Sequence, residues 1–184
     1  MPAWSPVKPA PASFTWRRMA RAAARSAACL KIHVDGAARG NPGPAGAGAV
    51  LAGGDGRKRA EVSAFLGEAT NNVAEYCALI LALQRALRLG CVRVEVLTDS
   101  ELLARQVNGE YRVRDKHLQW LHALADQLRQ DFEEFHIRHI PREENRAADR
   151  LANRAVAEWL RNHPSARRQP KPAPASQPAH PTLF

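Results

Sequence analysis

The stretch Lys31 to Leu51, KIHVDGAARGNPGPAGAGAVL, constrains the chain more than any other. Ile32 and Val34 alternate with Lys31 and His33, the period-two pattern of a half-buried strand. The strand runs into Asp35 and then into GAARGNPGPAG, a turn rich enough in glycine and proline to end the strand at the aspartate. AGAGAVLA, small and apolar, follows and reads as a second strand paired with the first. A carboxylate at the mouth of a buried strand is disfavoured by strand propensity and needs a partner. A metal ion meets that need; so does a turn in which Asp35 bonds its own backbone. Three later acids decide between them.

The chain has 184 residues, enough for one domain with or without tails. Its charge is unevenly spread. Lys and Arg number five in residues 1–30, eighteen in 31–160 and four in 161–184, and all eighteen acids lie in 31–160. The body is neutral by this count, and the net charge of +9 resides in the ends. Two acid-free tails either add non-specific phosphate affinity or simply keep the protein soluble. Residues 1–28 read as a basic, mostly disordered extension, in which WRRMARAAARSAAC suits a basic helix. Arg-rich, acid-free leaders also resemble organelle transit peptides. Residues 29–162 form the folded domain, and 163–184 a Pro-rich disordered tail. Cys29, Cys77 and Cys91 are odd in number and lack CxxC spacing, which argues for a reducing compartment, here the cytoplasm, and against a zinc site. No run of 18 uncharged apolar residues is present to span a membrane.

The elements follow from periodicity. Strands are expected at about 30–36, 45–53 and 58–67, the second and third joined by the GGDGRK turn. A broadly apolar helix runs from Asn71 to a stop at Gly90. A strand at 92–99 ends in Asp99, and the short helix SELLARQV closes at Asn108–Gly109. Residues 115–130 form an amphipathic helix with Leu118, Leu121, Leu124 and Leu128 at helical spacing. FHIRHI, 135–140, is a fifth strand stopped by Pro141. The last helix, about 144–160, places Ala148, Leu151, Ala152, Ala155 and Trp159 on one face. The order β-β-β-α-β-α-α-β-α predicts an α/β fold, a mixed sheet with helices on its faces.

Asp35 and Asp99 each end a strand. If those strands are parallel neighbours, both carboxylates emerge at the sheet edge where open α/β sheets place their sites. Glu75 falls in the first turn of the long helix, where a dipole-favoured cap is the plain reading. Asp149 borders the buried stripe of the last helix, with Asn153 within reach. None of the four has a basic neighbour at i+3 or i+4 that would make it an ordinary helix-surface pair. Four converging acids without a compensating base repel one another, and divalent cations make them tolerable. All-oxygen ligands favour Mg²⁺ or Mn²⁺ over zinc. Two such ions suit phosphodiester hydrolysis.

VDGAARGNPGPAGAG, TNNVAEYCALILAL, LTDSELLARQ and IPREENRAADRLA resemble, in order, the four blocks of type 1 ribonuclease H domains. The likeness covers about residues 30–160. It implies a ribonuclease H-like fold with a five-stranded mixed sheet in the order 3-2-1-4-5, strand 2 antiparallel. It also implies endonucleolytic hydrolysis of the RNA strand of RNA–DNA hybrids with two Mg²⁺ or Mn²⁺ ions, leaving 3′-hydroxyl and 5′-phosphate ends. The resemblance assigns metal binding and catalysis to Asp35, Glu75, Asp99 and Asp149. Asn41, Thr70, Asn71 and Asn72 match residues that touch hybrid backbone and minor-groove edges. Their plain readings are a turn asparagine for Asn41 and helix caps for Thr70 and Asn71. Ser100 caps the helix after Asp99, with a hybrid contact secondary. No protein partner is indicated, and a monomer is expected.

The departures bear on substrate and turnover. Many members carry a basic, Trp-containing handle between the middle helices; here GEYRVRDKH is short, with Arg112, Arg114 and Lys116. Val73 and Glu101 stand where some members have a basic residue and Gln. The histidine loop before the last acid is missing. His139, grouped with Phe135 and Ile137 on one strand face, is expected to be buried and structural. Glu143 or Glu144 takes part of the turnover role, Glu144 from a mobile turn beside Asp149, unless both are solvated surface acids. The alternatives are a binding module of the same fold without chemistry, or a nuclease preferring another duplex such as double-stranded RNA.

Overall fold

The computed structural model describes residues 29–164; the basic N-terminal segment and all but the first residues of the Pro-rich tail lie outside them. The chain forms β1 (Leu30–Ala38), β2 (Gly43–Ala52), β3 (Lys58–Ala69), α1 (Asn71–Arg88), β4 (Arg93–Thr98), α2 (Glu101–Val107), α3 (Lys116–Arg129), β5 (Glu134–His139), a 3₁₀ turn (Arg142–Glu144) and α4 (Arg146–Asn162). The five strands make one sheet in the order β3-β2-β1-β4-β5. Both β1–β2 and β2–β3 are antiparallel, whereas β4 runs parallel to β1 and β5 to β4.

The alternation of β1 has the expected outcome. Ile32 and Val34 are fully buried, while Lys31 is exposed and His33 half-buried. The expected strand end at Asp35 is corrected. β1 continues through Gly36 and Ala37 to Ala38, which still faces Ala45 of β2. A run of Gly and Ala has no bulk to oppose extended pairing, so β2 carries β1 on after β4 has stopped. Asp35 therefore lies within a strand, opposite Gly48, and is not a turn residue.

The main core lies on one face of the sheet. There Ile32, Val34, Ala49 and Leu51 meet Tyr76, Leu79, Ile80 and Leu83 of α1, and α2 and α3 complete the layer through Leu103, Val107 and Leu118. At ~1.5–3 kcal/mol for each large aliphatic side chain buried, this layer dominates the stability of the domain. The Tyr76 hydroxyl donates to Gln106 Oε1 at 3.0 Å, which satisfies two polar groups inside it. On α3, Leu124 departs from the expected face: it is 41% exposed, and Ala125 takes the buried place. The stripe 118, 121, 125 and 128 follows the 3.6-residue period more closely than one passing through 124.

α4 covers the opposite face of the sheet. Ala148, Leu151, Ala152, Ala155 and Val156 are buried, and Trp159 stacks on Phe65 of β3 with ring centroids 4.3 Å apart. β5 ends at His139, but burial of that face stops at Ile137, and His139 is exposed. The packing expected to brace this histidine is therefore not there. No helix among the described residues is long and apolar enough to cross a membrane.

Candidate active site

The register brings two acids side by side. Val34 pairs with Thr98 at the end of the parallel β1–β4 ladder, so Asp35 and Asp99 follow at adjacent positions. Glu75 arrives from the core side. A Cβ on Gly36 would collide with the backbone of Ala74 and Glu75, so β1 and α1 meet there with no side chain between them. Asp149 arrives from the other side. Gly48, opposite Asp35, leaves room for the Ala148 carbonyl of α4 in the same way. Glu75 is the fifth residue of α1, beyond its first turn, so the helix-start cap reading does not apply to it. The four acids, with Asn71, Arg142 and Asn153, line one cleft of about 370 Å³.

Neighbouring side chains hold these acids in place. The Thr70 hydroxyl caps α1 by accepting from the Val73 N–H at 3.4 Å. The Asn71 N–H donates to Asn41 Oδ1 at 3.2 Å, docking the GNPG turn on the helix start, and Asn71 Nδ2 donates to Glu75 Oε1 at 2.9 Å. Ser100 caps α2 by accepting from the Leu103 N–H at 3.2 Å, and its side chain also hydrogen-bonds Glu75. Asn145 Nδ2 donates to Asp99 Oδ1. Arg142 Nη2 lies 3.3 Å from Asp149 Oδ1. This corrects the expectation of no compensating base: the guanidinium sits seven residues before Asp149, outside helical spacing, and is carried over by the 3₁₀ turn. Asn153 donates to the Asp149 backbone carbonyl at 3.0 Å and leaves the carboxylate alone.

The charge remains unbalanced. Burial, then the charges of Asp99, Asp149 and Glu75, push the Asp35 pKa up to about 7. Burial and the charge of Asp99 push Glu75 to about 7 as well, against the hydrogen bonds from Ser100 and Asn71. Among the described residues, no three His, Cys, Asp or Glu side chains already stand close enough together to hold an ion. The four carboxylates nevertheless line the same cleft.

Glu144 lies exposed at the end of the 3₁₀ turn and does not line the cleft. The turn presents Arg142 there instead, so the expected approach of Glu144 to Asp149 is corrected; Glu144 acts electrostatically on His33. Asn41, Thr70 and Asn72 line a second groove of about 750 Å³, walled by Val73, His117, Leu121 and Trp120. Trp120 is 79% exposed. Sequence reasoning missed Arg142, Asn145 and Trp120. An outlying Trp on the polar side of the α3 pattern was a visible signal. Arg142 was hidden because only the 3₁₀ turn sets its direction.

A mixed sheet in this order, with acids from β1, α1, the end of β4 and α4 at one cleft, defines a ribonuclease H-like domain. A family model described as reverse transcriptase-like matches residues 33–155. The chain is 44% identical over 127 residues to ribonuclease HI of Halobacterium salinarum, covering 69% of this chain and 64% of that protein. It is 44% identical over 126 residues to the bifunctional protein Rv2228c of Mycobacterium tuberculosis, covering 68% of this chain and 35% of that one. The crystal structure of LC11-RNase H1 in complex with an RNA/DNA hybrid superposes with a TM-score of 0.69 at 43% identity, over 71% of this chain and 99% of that one. The chain belongs to the ribonuclease H family. It is a short form, with only residues 108–115 between α2 and α3 and a single 3₁₀ turn between β5 and α4.

Proposed function

We propose that the domain is an endoribonuclease that hydrolyses the RNA strand of RNA–DNA hybrids with two divalent ions, leaving 3′-hydroxyl and 5′-phosphate ends. The observation that carries this reading is the cleft itself, where four carboxylates face one guanidinium and two of them are pushed to about 7. Such a donor set is all oxygen and short of positive charge, which fits Mg²⁺ or Mn²⁺. Asp35, Glu75, Asp99 and Asp149 would hold the ions, which supply Lewis acidity and charge neutralisation at a phosphodiester.

The remaining roles fall to the chain's own groups. Asn71 and Ser100 orient the Glu75 carboxylate through hydrogen bonds. Arg142 keeps a cation beside Asp149 at the rim. The second groove supports the choice of nucleic acid. Its short polar side chains suit sugar hydroxyls and minor-groove acceptors, and the flat face of Trp120 suits a sugar or base. The hybrid is further supported by the hybrid-bound relative.

The test is a cleavage panel in Mg²⁺ and in Mn²⁺ on end-labelled hybrid, double-stranded RNA and double-stranded DNA. Preferential cutting of the RNA strand of the hybrid, with products that a kinase cannot label at 5′ until they are dephosphorylated, is expected. A folded protein that binds the hybrid and cuts nothing supports the binding-module reading. Faster cutting of double-stranded RNA refutes the substrate assignment.

A further inference from the structure

Asn145 opens the N-x-x-x-D pair that ends in Asp149. Its residue is 0% exposed, a costly place for an amide unless its hydrogen bonds are met. Its Nδ2 donates to the Val34 carbonyl at 2.9 Å and to Asp99 Oδ1 at 2.5 Å. Both partners only accept, so the amide has one possible orientation, with the NH₂ end toward them. Its backbone carbonyl accepts the Asp149 N–H at 3.2 Å. Val34 directly precedes Asp35. One buried residue thus touches the strand that carries Asp35, the carboxylate of Asp99 and the backbone of Asp149.

Helix capping does not account for this side chain. Asn145 precedes α4 but makes no side-chain cap bond; its donors point away from the helix. Its Oδ1 is buried without a partner at hydrogen-bond distance, and so is His33 Nδ1. Burial lowers the His33 pKa, and the nearby Asn145 side chain opposes that shift, so the two groups are neighbours.

We propose that Asn145 is a positioning residue that fixes the Asp99 carboxylate relative to Asp35 and Asp149, so that three of the four acids share one geometry before a divalent cation arrives. This rests on the reading of the acids as cation ligands. Tethering Oδ1 removes rotation of the carboxylate about its last torsion. The ordering cost then falls on folding rather than on binding, which is how hydrogen-bonding partners behind metal ligands raise affinity.

Two variants of the full chain test it. Asn145→Asp keeps the shape but turns a carboxylate oxygen toward Asp99; Asn145→Ser withdraws the amide without adding charge. Mn²⁺ affinity is read by calorimetry, hybrid cleavage by steady-state kinetics, and the Asp99 carboxyl by ¹³C resonance in the metal-free protein. Asn145→Ser is expected to fold, to lose about 10–100-fold in Mn²⁺ affinity, to lower kcat with KM for hybrid little changed, and to move the Asp99 signal while leaving that of Glu75 in place. Asn145→Asp should lose at least as much. A variant with a lowered melting temperature but parental Mn²⁺ affinity overturns the proposal, as does an Asn145→Ser chain that cannot fold, since the amide is then purely structural. A parent protein that binds no Mn²⁺ overturns the reading of the acids themselves, before any variant is made.

Discussion

Replacing Asp35 with Asn removes one charge from the cleft and almost no volume. Without metal, burial and the three other acids raise the Asp35 pKa from its ordinary 3.8 to about 7. The unfolded chain releases this proton near pH 4 and the folded protein near pH 7. Between those values the folded state binds more protons, so stability falls as pH rises; the penalty is absent below about pH 4 and complete above about pH 7. At ~1.4 kcal/mol per pH unit the interval is worth ~4 kcal/mol. Sharing of the repulsion among four acids, and the cost of burying an amide, reduce the gain to ~2 kcal/mol. For a domain of this size Asp35→Asn should therefore melt about 4–10 °C above the parent at pH 8 in chelator. The difference should close towards pH 4. Mg²⁺ should raise the melting temperature of the parent more than that of the variant, and hybrid cleavage by the variant should fall to background. The assay is a set of thermal melts by circular dichroism from pH 4 to 8.5, with and without Mg²⁺, beside a hybrid cleavage assay. Parallel melting profiles for the two proteins across that range would refute the electrostatic argument, and near-normal turnover by the variant would refute the role of Asp35.

Gly36→Ala drives a Cβ into the backbone of Ala74 and Glu75; it should cost ~1–3 kcal/mol in urea unfolding, and unchanged stability would show that β1 and α1 are not in close register there. Asn71→Ala removes a donor to the ionised form of Glu75, so the acid limb of the cleavage profile should move to higher pH; a shift to lower pH would contradict the assigned hydrogen bond. Trp120→Ala should leave the melting temperature unchanged, because the ring is exposed, yet raise KM for hybrid at least about fivefold, since stacking on one base is worth ~1–3 kcal/mol; an unaltered KM would remove the second groove from the substrate path.

The parts of the fold that were legible are those fixed by local pattern. The alternation in KIHV marks a strand, the broad apolar run of α1 marks a central helix, and Thr70 and Ser100 act as caps by the chemistry of their hydroxyls. Convergence of the acids at one cleft followed from topology, since parallel pairing of β1 with β4 aligns Asp35 with Asp99. What escaped was set by backbone path rather than by residue type. Nothing in GAARGNPG shows that β1 stays paired with β2 to Ala38. His139 was placed on a buried face from alternation alone, but alternation shows which face a residue is on and not how far the covering layer extends. Arg142 and Glu144 are two residues apart on a 3₁₀ turn, and only the direction of that turn decides which one lines the cleft.

That direction gives the cleft an unequal balance of charge. Asp149 has a guanidinium at 3.3 Å, whereas Asp35 and Glu75 meet only neutral donors and other acids. The Arg142 side chain is 77% exposed, and an ion pair so open to water is worth ~0–1 kcal/mol. A divalent cation that took Asp149 as a ligand would therefore displace Arg142 at small cost, and would gain most from the two buried carboxylates. Small residues at Gly36 and Gly48 bring the backbones of α1 and α4 against β1 and β2, on either side of Asp35. The elements that carry the acids are thus fixed against one another at short range. Rigid backbone, unbalanced charge and one loosely held counter-cation would together favour a bound cation, and that preference is what the pH-dependent melts with and without Mg²⁺ measure.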